Sequence, residues 1–275
     1  MKKWYAVIGD PIAHSLSPFM HDRWFEEHGI DASYIPVHVK PPELETAFTA
    51  LKTLGVGGFN ITLPHKQEIV PFLEELDETA IIMDAVNTVT FDGQTYKGWN
   101  TDGDGFVRSL AAQPITLNEK VLIIGAGGAA RGIAFALKRA GFSDVTITNR
   151  TEKRAKELAE ATGSFSISLE EAEKQLGNFS ILIQTTSVGL AEDEALPLSL
   201  DNIQTGTLAA DIIYTPLETP FLKAAKEKNC VILNGVGMFV YQGAIAFEKW
   251  TGIEPDTEKM VKIITEKLGG NYVNR

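Results

Sequence analysis

Val121-Leu122-Ile123-Ile124-Gly125-Ala126-Gly127-Gly128-Ala129-Ala130 is the stretch on which the reading of this chain turns. Four apolar residues, three of them β-branched, read as a buried strand. Arg131–Ala140 then has the composition of a helix. Between them, Gly125, Gly127 and Ala130 fit G-x-G-x-x-A, with Ala126, Gly128 and Ala129 as the other small residues of the turn. Such a turn lets a backbone approach a pyrophosphate, and the helix end behind it offers free N–H groups and a partial positive charge. A glycine-rich turn can also exist for close packing alone. The flanking strand and helix favour a dinucleotide.

The next strand, Val145–Thr148, separates the two nicotinamide dinucleotides. Proteins that bind NAD usually carry Asp or Glu at its end, to accept hydrogen bonds from the ribose hydroxyls. Here the chain continues Asn149-Arg150-Thr151-Glu152-Lys153-Arg154. A carboxylate at the strand end would repel a 2′-phosphate, whereas guanidinium forks bind one well. The expected cofactor is therefore NADP, held by Asn149, Arg150, Thr151 and Arg154. The competing reading is a basic loop in which Thr151 caps a helix over Glu152–Ala161.

Working outward, Ile181–Gln184, Leu208–Ile213 and Val231–Leu233 read as further strands, and Pro220–Lys228, Gly237–Trp250 and Thr257–Leu268 as helices. Upstream, Tyr5–Ile8, Ser33–Val39 and Gly58–Thr62 are expected strands. Ser17-Pro18 opens a helix with Ser17 as its cap. Pro41-Pro42 opens one running to about Gly55, and Pro64 opens another. Ala85–Phe91 and Thr95–Trp99 form a hairpin around Asp92-Gly93, and a helix after Asp102 reaches about Ala112. Strands alternating with helices indicate parallel α/β architecture. Gln113–Lys120 is the expected linker. The fold class is α/β in two domains: an N-terminal α/β domain over 1–112 plus 238–275, and a doubly wound parallel Rossmann domain over 113–237.

Composition bounds the function. The formal charge of −11 gives no reason to expect nucleic acid or an anionic membrane as partner. The N-terminus reads as a strand, not a signal peptide, and no apolar run approaches the ~20 residues of a span, so a cytoplasmic protein is expected. Cys230 is the sole cysteine and lies in an apolar run, which suggests a buried structural thiol. His14, His21 and His65 lack paired ligand spacing, so no metal is expected.

Four polar segments stand where a strand or hairpin arm gives way: Gly9–Pro18, Asn60–Lys66, Ala85–Val89 and Asn100–Asp102. They supply hydroxyls, amides, one ammonium and one carboxylate, an inventory that suits a small polyhydroxylated acid. Together with the Asn149–Arg154 segment and Gly235-Val236-Gly237-Met238 with Gln242, they resemble the shikimate dehydrogenase family from Val7 to the C-terminal helices.

The resemblance implies an NADP-dependent oxidoreductase interconverting 3-dehydroshikimate and shikimate. The active site would lie between the domains, and the C-terminal helices would return to the first domain. It implies that Ser15 and Ser17 hold the substrate carboxylate. Asn60, Thr62, Asn87, Tyr214 and Gln242 contact the ring or line its pocket, and Lys66 and Asp102 form the catalytic pair. Gly125–Ala130, Asn149–Arg154, Thr186, Ile212, Gly235 and Met238 fall on cofactor positions. A monomer or homodimer is expected. Taken singly, Ser17 and Asp102 could be helix caps and Lys66 a solvated lysine. A quinate/shikimate dehydrogenase of relaxed choice, or a non-catalytic NADP(H)-binding scaffold, are the alternatives.

Overall fold

The computed structural model describes residues 2–190 and 195–269. They form two compact units: residues 2–101 with Gln242–Met260, and Asp102–Tyr241 with 261–269.

The first unit holds β1 (Lys3–Gly9), α1 (Ser17–Glu27), β2 (Ala32–His38), α2 (Leu44–Thr53), β3 (Gly58–Ile61), β4 (Glu75–Leu76), α3 (Glu78–Met83), β5 (Thr88–Phe91) and β6 (Tyr96–Trp99). The sheet order is β2-β1-β3-β5-β6-β4. β1 runs parallel to β2 and β3, while β5 is antiparallel to β3 and β6. β1 is buried from Tyr5 to Gly9, as the central position of an apolar strand requires. One face packs on Phe48 and Leu51 of α2, which meet Ala6, Ile8, Phe59 and Ile61. The β5–β6 turn is held by Asp92, whose Oδ1 accepts from the N–H groups of Gln94 and Thr95. This is the Asx geometry an Asp-Gly pair favours.

The second unit begins with α4 (Asp102–Ala111) and continues β7 (Val121–Ile124), α5 (Gly128–Ala140), β8 (Val145–Thr148), α6 (Glu152–Thr162), β9 (Phe165–Ser166), α7 (Leu169–Gln175), β10 (Ile181–Gln184), β11 (Leu208–Asp211), α8 (Pro220–Glu227) and β12 (Val231–Leu233). All six strands are parallel, in the order β12-β11-β10-β7-β8-β9. That is the doubly wound order, with its switch point between β7 and β10. Both sheet faces are covered, one by α5 and α6 (Ile133, Leu137, Leu158) and the other by α7 and α8 (Ala172, Phe221, Leu222). The last helices are α9 (Val236–Thr251) and α10 (Thr257–Lys267). No described helix is long and apolar enough to cross a membrane.

Several expectations need correction. The boundary expected at 112/113 falls at 101/102, because Phe106 and Leu110 of α4 are buried in the core of the second unit. From the C-terminal region, the first unit takes Gln242–Met260 in place of 238–275. Pro64 opens no helix: residues 63–69 form successive turns, followed by a 3₁₀ turn at Val70–Phe72. Pro41-Pro42 likewise starts a 3₁₀ turn before α2 begins at Leu44. β9 and α7 were not expected. α7 carries a sequence signature all the same, a capping box between Ser168 and Glu171. Cys230 is half-buried, its Sγ–H directed at the Gln204 carbonyl.

Candidate functional site

In the first unit the four polar segments converge on one sheet edge. β1 and β3 end there, antiparallel β5 starts there, and β6 ends there. Main-chain bonds fix their register. Thr62 N–H donates to Ile8 O (3.0 Å), Asp10 N–H to Leu63 O (3.0 Å), Ile61 N–H to Asn87 O (2.9 Å) and Asn87 N–H to Trp99 O (3.0 Å). The chain at Lys66 is held beside β5 because its carbonyl accepts from Val86 N–H at 2.7 Å. His65, fully buried, anchors the same turn through an Nε2 contact of 2.6 Å with Val39 O.

A network of short side chains runs through this edge. Asn87 Oδ1 accepts from Thr101 N–H (2.9 Å) and from the Thr88 hydroxyl (2.9 Å), and its Nδ2 donates to Thr101 Oγ1 (2.9 Å) and Gln242 Oε1 (3.4 Å). Thr101 O–H donates in turn to Gln242 O at 3.1 Å. Asn87 and Gln242, expected at the substrate, are thus brought together, with Thr101 as the link. Asn60 joins the same network. Its amide donates to Asn87 O and Thr88 Oγ1 (3.0 Å each), and its Oδ1 accepts from Tyr34 O–H at 2.6 Å. This buried side chain splices β3 to β5.

Ser15 and Ser17 sit on the loop after β1, with Ser17 N–H donating to Ser15 Oγ at 3.3 Å. Ser17 does not cap α1; it is the first helical residue, and the cap position is Leu16, which makes no side-chain cap bond. The purely structural role for Ser17 thereby loses its basis. Asp102 is likewise not an external cap but the first residue of α4, and it belongs to the second unit. Thr62 and Lys66 are half-buried on the loop after β3.

In the second unit the cofactor-type residues follow the carboxyl ends of β7, β8, β10, β11 and β12, the edge where open α/β sheets bind ligands. Gly125 has φ +119°, and a Cβ there would lie 2.4 Å from Thr185 Oγ1, so packing alone requires glycine. Gly127 and Gly128 differ. Both are exposed, Gly127 is extended (φ −92°), and a Cβ at either would meet nothing within 4 Å. No protein contact demands glycine there, whereas a pyrophosphate lying on the α5 N-terminus would. Ala126 and Ala129 are half-buried, and Ala130 is packed in the core.

After β8, Asn149 braces the loop by donating from Nδ2 to Thr151 O (3.0 Å). Thr151 occupies the cap position of α6 without making a capping bond. Arg150 and Arg154 are exposed, and among the described residues neither pairs with a carboxylate. The residues present fit an NADP-type phosphate. Thr186 is engaged within its own loop, its Oγ1 accepting from Gln184 Nε2 at 2.9 Å. Met238 packs on the core, and Tyr214 lies against Phe239 with ring centroids 5.2 Å apart. Burial raises the Tyr214 phenol above its ordinary value.

A doubly wound unit with an open glycine pair, joined to an α/β unit lined with hydroxyls and amides, defines a nicotinamide-dinucleotide enzyme of the two-domain dehydrogenase class. Family models match three stretches: the shikimate dehydrogenase substrate-binding domain over 7–89, shikimate/quinate 5-dehydrogenase over 109–212, and the shikimate 5′-dehydrogenase C-terminal domain over 235–264. The NADP(+) shikimate dehydrogenase of Lysinibacillus sphaericus is 53% identical over 98% of this chain and 100% of its own. That of a Geobacillus strain is 48% identical over the same shares. The crystal structure of shikimate 5-dehydrogenase from Thermus thermophilus, in complex with NADP(H) and shikimate, is similar with a TM-score of 0.88. It is 37% identical, over 96% of this chain and 99% of that one. The chain belongs to the shikimate dehydrogenase family.

Proposed function

We propose that this chain interconverts shikimate and 3-dehydroshikimate with NADP as hydride carrier. One observation carries the reading. A chain matched end to end by a 53% identical NADP(+) shikimate dehydrogenase presents hydroxyls and amides at one sheet edge and, at another, an open glycine pair with two exposed arginines that pair with no carboxylate among the described residues.

Bound NADP would supply the hydride acceptor for the ring carbon that carries the reacting hydroxyl. Gly127, Gly128 and the α5 N-terminus would hold its pyrophosphate, and Arg150, Thr151 and Arg154 its 2′-phosphate. Ser15 and Ser17 orient the substrate carboxylate. Thr62, Asn87 and Gln242 bind ring hydroxyls, with Asn87 locked in one rotamer by Thr88 and Thr101. Oxidising the alcohol also releases the hydroxyl proton. The free amine of Lys66 accepts it, while Asp102 accepts a hydrogen bond from a Lys66 N–H and so orients the amine toward that hydroxyl. In the reverse direction the Lys66 ammonium protonates the developing alkoxide.

The test is Lys66→Ala with shikimate and NADP. It is expected to lower kcat by roughly 10²–10⁴-fold with little change in substrate affinity. Wild-type kcat in the variant would remove Lys66 from the mechanism.

A further inference from the structure

Asp211 is 1% exposed at the end of β11 and takes no part in the mechanism above. A carboxylate is costly to bury unless its oxygens are well bonded, and these two oxygens grip opposite ends of the next loop. Oδ1 accepts from Ile213 N–H at 3.0 Å and Oδ2 from the Thr219 hydroxyl at 2.7 Å. Thr219, wholly buried, in turn accepts from Leu222 N–H at 3.3 Å and so caps α8. On the other side of the loop, Gly235 N–H donates to Ile213 O at 2.9 Å. A Cβ on Gly235 would lie 2.1 Å from Ile212 O. Ile212 and Tyr214 are thereby presented from a segment held at three points, and Gly235 is glycine because the Ile212 carbonyl fills its side-chain space.

We propose that Asp211 and Thr219 are positioning residues for the reaction, clamping Ile212–Tyr214 in the one conformation that orients the reacting ends of cofactor and substrate. The inference rests on the proposed function and on the places the family resemblance gives Ile212, beside the cofactor, and Tyr214, at the substrate pocket. Burial pushes the Asp211 carboxyl up to about 6, against the pull of its hydrogen bonds to Ile213 and Thr219. The clamp is thus kept in spite of an electrostatic cost.

Thr219→Val removes the hydroxyl at constant shape, and Thr219→Ser restores it. Each is assayed for shikimate oxidation per NADP-binding site, the sites being counted by fluorescence titration, and melted by circular dichroism. Misplacement of reacting groups by a fraction of an ångström lowers kcat steeply. Thr219→Val should therefore lose on the order of ten- to a hundredfold in kcat, with the NADP Kd within about threefold. Thr219→Ser should come back to within about twofold of wild type. Should Thr219→Val fold poorly, Asp211→Asn keeps an acceptor for Ile213 and is expected to lose kcat without losing NADP sites. A valine variant that melts early yet keeps wild-type kcat per bound NADP, or a serine variant that fails to restore it, overturns the positioning role. A wild type without shikimate turnover overturns the functional reading instead, so the two failures are distinct.

Discussion

His21 should make the first unit lose stability in mild acid, by an amount the structure allows to be worked out. Its ring is fully buried, stacked on Tyr34 at 4.4 Å and edge-on to Trp24 at 5.4 Å, and among the described residues neither ring nitrogen has a hydrogen-bond partner. Burial pushes the imidazole down to about 3, from 6.5 in the unfolded chain. The unfolded state therefore binds the proton first. Stability is complete above pH 6.5 and is lost as pH falls toward 3. At pH 5 the gap is about one and a half units, worth about 2 kcal/mol. His21→Leu preserves the volume and removes the titration. It loses a stacking contact worth about 1 kcal/mol and removes unpaired polar atoms worth a similar amount, so it should be near neutral at about pH 7.5. All four tryptophans, Trp4, Trp24, Trp99 and Trp250, lie in the first unit, so urea unfolding followed by tryptophan fluorescence reads that unit alone. Between about pH 7.5 and 5 the wild type should lose about 2 kcal/mol more than His21→Leu. Curves that fall in parallel would mean that His21 takes up no proton on unfolding in this range.

Three further outcomes follow from the site. Arg150→Ala should weaken NADP roughly 10- to 150-fold and NAD little, since one charge-assisted contact to the 2′-phosphate is lost; equal losses in fluorescence titration would make Arg150 a loop residue. Gly127→Val should cost on the order of tenfold or more in NADP affinity and at most about 1 kcal/mol of stability, because only solvent meets the added side chain; unchanged affinity would mean that nothing approaches that turn. Ser17→Ala should raise the shikimate KM by the equivalent of ~0.5–3 kcal/mol and leave the melting temperature unchanged, as Leu16 holds the cap position; a lower melting temperature at unchanged KM would restore the capping role.

The sequence was most legible where local chemistry and fold agree. Val121–Ile124, Val145–Thr148, Ile181–Gln184 and Val231–Leu233 are strands with the expected ends, since each is a short run rich in β-branched residues closed by polar or glycine residues. Pro64 misled because proline opens a 3₁₀ turn or a loop as readily as a helix, and the turn here is held by buried His65 on Val39 O, a contact 26 residues away in sequence. The unit boundary was hidden for a similar reason. The placement of α4 depends on tertiary packing of Phe106 and Leu110, which its own sequence does not reveal. Within the site, the type of residue was legible and its commitments were not. Asn60 and Asn87 have the same composition and the same edge, but only the hydrogen-bond network makes Asn60 a splice. Asp211 escaped notice because one acid closing an apolar strand resembles any polar strand end, and its two bonds span the following loop.

Initial rates followed by the absorbance of the reduced nicotinamide decide whether this chain oxidises shikimate with NADP. Shikimate and quinate are each paired with NADP and NAD. With Arg150 and Arg154 reading the 2′-phosphate, shikimate with NADP should give the highest kcat/KM, exceeding shikimate with NAD by about tenfold or more. Absence of shikimate turnover with NADP would overturn the activity proposed for this chain, and a preference for NAD would overturn the phosphate-reading role of Arg150 and Arg154.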